Sequence, residues 1–134
     1  MPPVSSALSR ASALYLGLVG LAFLFASDAL LPRLIPGFPA GAPWIGQLLA
    51  AAWLGAAAVD WNGRANLLGG IYGRPQVALN LTLFMVGALS MLRASASPLA
   101  LWGLTVPMSI LGLAYAAVFV RGPFDRLAPP PPRP

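Results

Sequence analysis

The chain has 134 residues, of which 58% are hydrophobic and only 8% charged, against roughly 25% charged residues in a soluble domain, so lipid is the solvent this composition suits. Its net charge of +5 comes from eight arginines set against three aspartates, with no Lys, Glu, His or Cys. Those absences exclude disulfides, cysteine-held clusters, a thiol nucleophile, an imidazole base and His-based metal or haem ligation, and arginines standing singly at the ends of apolar runs argue against a nucleic-acid binder.

Residues 1–10 are short, polar and Pro-containing, and Arg10 precedes an apolar run over 11–31. That run matches the ~20 residues needed to span a bilayer and exceeds the core of a secretory signal; it is predicted as the first span. Asp28 is its only acid. It falls near the far interface, where the choice lies between an ion pair with Arg33 or Arg93 and a proton or ligand role. Four prolines and two glycines over 32–43 predict an irregular connection.

The second span is predicted over 44–61, bracketed by Trp44 and Trp61 at headgroup level. Its many Ala and Gly residues allow close backbone approach. Gln47 is a buried-polar candidate within it. Asp60 closes it at the negative end of the helix dipole and should want a cation. Arg64 and Arg74 are nearest in sequence. Two readings follow: an ion pair that locks the following loop, or an anionic headgroup pocket built from Arg64, Arg74 and glycine amides beside Tyr72. The glycine spacing matches no phosphate-binding fingerprint.

The third span is predicted over 75–92, with Pro75 in its first turn and Asn80 and Thr82 as its early polar residues. Asn80 reads as an interhelical hydrogen-bonding residue. The fourth is predicted over 99–120, kinked at Pro107, with Thr105 and Ser109 near the freed backbone groups and with Gly112 and Ala116 offering a docking face. Residues 128–134 read as a polyproline rod. The whole is expected to be one all-α membrane domain, a four-helix bundle over 1–134. Arg10, Arg64, Arg74, Arg121, Arg126 and Arg133 on one side against Arg33 and Arg93 on the other place both termini in the cytoplasm.

This layout, together with the run GGIYGRP from Gly69 to Pro75, resembles small four-helix bacterial inner-membrane proteins of the DoxX-like kind. The redox association of some DoxX-like proteins implies quinone contact. From its own residues the chain reads as a non-catalytic accessory or structural subunit of a larger membrane complex. No resident cofactor or metal is expected, and its partners are lipid and other membrane subunits. The alternatives are a small lipid- or quinone-binding protein and a small-molecule transporter whose path would have to use Asp28, Gln47, Asn80, Thr82 and Thr105.

Overall fold

A computed structural model describes residues 4–94 and 99–122. They form four helices: α1 (Val4–Leu34), α2 (Pro43–Asn62), α3 (Arg74–Leu92) and α4 (Leu99–Arg121), with a 3₁₀ turn at Gly63–Ala65 after α2. The polyproline rod expected over 128–134 lies outside the described residues, as do Arg126 and Arg133. Three helices, α1, α3 and α4, are long and apolar enough to cross a membrane. The 20 residues of α2 match them in length, but Gln47, Asp60 and Asn62 dilute its apolar character.

The first helix begins at Val4, about two turns before the predicted start. Serine is a middling helix former, and the polar opening reads as a tail on composition alone. Yet Ser5, Ser9 and Ser12 recur at helical spacing on the face that continues through Leu16, and all four are buried. Tertiary burial overrides local polarity. At 31 residues α1 exceeds a bilayer core, and it breaks direction at Ala26, where the backbone leaves helical geometry (φ −131°, ψ 26°).

The helices pack as two close pairs, α1 with α2 and α3 with α4, while the backbones of different pairs approach one another at few places. Glycines set the contact within each pair. A Cβ on Gly46 would lie 2.7 Å from Ser27 Cβ, and one on Gly20 would lie 2.9 Å from Leu54 Cγ. Trp53 of α2 meets Phe23 of α1 edge-on at 5.3 Å between ring centroids. In the second pair, Gly112 lies against the backbone of Phe84 and Met85. The docking face expected at Gly112 is therefore an internal contact, because the missing side chain admits α3. Through Pro107, α4 runs on as one helix to Arg121. Thr105 and Ser109 donate to the carbonyls of Leu101 and Thr105 at 2.9 and 2.8 Å.

The loop between the pairs is seated by Leu68, which is fully buried. Gly69 takes φ +88°, a conformation that suits glycine. Gly70 and Gly73 then carry successive turns into α3 through Gly70 N–H to Leu67 C=O and Gly73 N–H to Gly70 C=O, both 3.0 Å.

Candidate functional site: a buried polar centre

The end of the bundle where α1 begins, α2 ends and α3 begins holds a polar centre. Each helix contributes through the same stripe that builds the apolar core beneath it. On α2, Trp53, Ala56, Ala57 and Asp60 share the inward face. On α3, Gln76, Asn80, Phe84 and Ala88 recur every four residues. On α4, Met108, Gly112 and Tyr115 recur at spacings of four and three. Below the polar groups lies an aromatic layer, with Phe84 and Tyr115 stacked at 5.9 Å.

Asp60, Asn80, Ser9, Ser12 and Tyr115 are completely buried and Gln76 nearly so. The Gln76 amide donates both to Ser9 Oγ and to Asp60 Oδ1, each at 3.0 Å. The Asn80 amide donates to the same oxygen, Asp60 Oδ1. Ser12 Oγ donates to the Leu8 carbonyl at 3.0 Å, which uses its only hydrogen. The phenol of Tyr115, 3.0 Å from Ser12 Oγ, is therefore the donor in that contact. Among the described residues three buried side-chain oxygens have no hydrogen-bond partner: Asp60 Oδ2, Gln76 Oε1 and Asn80 Oδ1.

The expected pairing of Asp60 with Arg64 or Arg74 does not form. Helix α2 ends at Asn62, and the 3₁₀ turn carries Arg64 outward. Its guanidinium sits 4.8 Å over the Trp61 ring, and its Nη1 donates to the Trp61 carbonyl. Arg74 is exposed at the first residue of α3, and Tyr72 is 85% exposed. The four residues grouped in the sequence are thus divided among separate places. Arg64 joins Arg10, Ser5, Ser6 and Asn66 around a pocket of about 230 Å³. Tyr72 lines a second with Asn62, Gly63 and Gln76. Arg74 lines a third with Val118 and Phe119.

The intramembrane trio is divided as well. Asn80 is central. Gln47 is exposed on the outer face of α2. Asp28 is exposed at the opposite end of the bundle and forms no ion pair among the described residues. Sequence reasoning passed over Ser9, Ser12, Gln76 and Tyr115. Their signal was periodicity: serines at helical spacing leading into Leu16, and Gln76 four residues before Asn80 and eight before Phe84.

A second feature is an apolar groove of about 900 Å³ lined by α2, α3 and the first half of α4. Leu49, Trp53, Leu79, Val86, Met91 and Met108 are among its walls, and its polar side chains are Thr82 and Ser90. No family model, curated protein or solved structure matches the chain, so function rests on this geometry alone.

Proposed function

We propose that the protein is a non-catalytic subunit of a larger membrane assembly, with four spans and both termini on the cytoplasmic side of a bacterial inner membrane. One observation carries this reading. Gln47, Ala51, Gly55, Ala58 and Asn62 are all exposed, and their spacing of three and four residues sets them in one stripe along α2. Of the four described helices, α2 is the one that does not combine the length and apolar composition of a membrane span. Small residues let a neighbouring backbone approach closely, and Gln47 offers a side-chain amide to a facing helix. The close packing of α2 along α1 supports its crossing beside that span. The six-to-two division of arginines supports the orientation.

The test uses Gly55. A Cβ there meets nothing within 4 Å, so a large side chain leaves this chain's own packing untouched. Gly55→Leu is expected to keep the thermal stability of the isolated protein and to lose the chains that co-purify with wild type in mild detergent. Wild-type protein that runs alone, with or without the substitution, overturns the subunit reading.

The apolar groove favours a second reading, a lipid or quinone tail lodged between α2 and α3. Its volume lies in the range of small-molecule sites. A stoichiometric lipid or quinone on a monomeric protein is the result that selects it. Transport has less support, because Asp28, Gln47 and Thr82 are exposed while Asn80 and Thr105 are buried, and they share no common path.

A further inference from the structure

The polar centre is short of one positive charge. Asp60 brings a carboxylate into a fully buried position, and no cation among the described residues answers it. The groups facing it can be taken helix by helix. From α1 come Ser9 and Ser12, both neutral, while Arg10 turns to the outer pocket. From α3 come the amides of Gln76 and Asn80, while Arg74 is exposed. From α4 comes Tyr115, close enough to sense the carboxylate, while Arg121 is exposed. Arg64 on the 3₁₀ turn is held to Trp61.

The hydrogen count agrees with the charge count. A carboxylate offers about four acceptor positions. Here both amide donors reach Oδ1, and Oδ2 receives nothing. Gln76 Nε2 has committed both of its hydrogens. The carbonyl ends of the two amides, Gln76 Oε1 and Asn80 Oδ1, are also without donors. Three acceptor oxygens therefore stand buried on three side chains joined through Asp60 Oδ1, at the negative end of the α2 dipole. Buried charges are neutralised, paired or coordinated.

The geometry points to a binding site for one small monovalent cation, a proton or a sodium ion, at Asp60 Oδ2 beside the carbonyl oxygens of Gln76 and Asn80. Both ligands bring the missing unit charge to an oxygen-only acceptor set. The way in is short. Gln76 also lines the outer pocket formed with Asn62, Gly63 and Tyr72. Gly63 is the thin place in that wall: a Cβ built on it would lie 2.5 Å from Gln76 Oε1. This site stands independently of the subunit reading, because every group that builds it lies inside the bundle.

The sequence makes the test unusually clean. The chain has three Asp and no Glu, so Asp28→Asn with Asp125→Asn leaves Asp60 as the only side-chain carboxyl group. Infrared difference spectra of that protein in lipid nanodiscs, titrated with acid in choline chloride, read the proton arm. A protonated-carboxyl C=O band that titrates and disappears in the further variant Asp60→Asn assigns the ligand as a proton. The sodium arm is thermal unfolding at fixed pH in sodium, potassium or choline chloride. A rise in Tm of roughly 4 °C or more in saturating sodium alone, lost in Asp60→Asn, assigns it as sodium. Asn is close in shape to a protonated Asp and adds donors at Oδ2, so this variant is expected to fold. If it does not, the first two arms on protein with Asp60 intact still decide. An ionised carboxylate band throughout the titration, together with a Tm indifferent to the cation, overturns the proposal.

Discussion

A single amide organises the polar centre. Gln76 holds α1 through Ser9 and α2 through Asp60 from its place on α3. Asp60→Ala would strand the amide hydrogens that Gln76 and Asn80 give to it. Each unsatisfied buried donor costs about 1–3 kcal/mol, so this variant is expected to unfold at clearly lower temperature in detergent than Asp60→Asn, which keeps an acceptor oxygen in place. Equal melting of the two variants would show that the amides find other partners. Asp60 itself stood out in the sequence, but its partner did not. Four residues on, Arg64 looks like a helical neighbour. The helix has ended by then, and the 3₁₀ turn points that side chain outward. The legible clue was the alignment of Asp60 with Trp53, Ala56 and Ala57, a face already marked for burial.

At the scale of elements, apolar runs announced all four helices; Pro75 marked the start of α3 closely, and α2 starts at Pro43, one residue before its predicted start and inside the expected connection. The start of α1 was hidden because composition describes solvent preference, whereas Ser5, Ser9 and Ser12 are buried by what surrounds them. The small residues of the second helix were read as packing surface, and that holds for Ala50, Ala56 and Ala57 inside the pair, whereas Gly112, read as a docking face, packs against α3 within its own pair. Their abundance could not say which face looks inward. Two substitutions on one helix separate those faces. Gly46→Ala places a Cβ 2.7 Å from Ser27 Cβ and 3.0 Å from Leu31 Cδ1, and overpacking of this kind costs about 1–3 kcal/mol. Gly55→Ala meets open space and is expected to leave stability unchanged or raise it by up to about 1 kcal/mol, as Ala is the better helix former. Thermal unfolding of both in the same detergent checks the contrast. In the loop, Gly73→Ala drives a Cβ into the Leu67 carbonyl oxygen. It is expected to unseat Leu68 and lower stability by about 1–3 kcal/mol, read as earlier proteolytic cutting between Asn66 and Arg74.

For the whole molecule, the lack of cysteine makes sidedness directly measurable. Asn66→Cys is expected to react with an impermeant thiol reagent from the cytoplasmic side alone, and Gly41→Cys from the other side alone. Both positions are exposed. Labelling of both from one face would remove α2 from the membrane and leave three spans.

The division into two helix pairs has a consequence for how the protein comes into being. Among the described residues, five side-chain hydrogen bonds cross from one pair to the other: Ser12 with Tyr115, Tyr15 with the Leu104 carbonyl, Gln76 with Ser9 and with Asp60, and Asn80 with Asp60. Bonds of this kind within membranes average about 0.6 kcal/mol, so together they hold the halves with about 3 kcal/mol, enough to choose a partner and weak enough to correct a mistake. Each half is a helical hairpin with close packing of its own. Recognition between the pieces is then written in a handful of side chains. A chain severed after Asn66 and expressed as two fragments should reassemble, and it should refuse to do so once Gln76 is replaced by Leu.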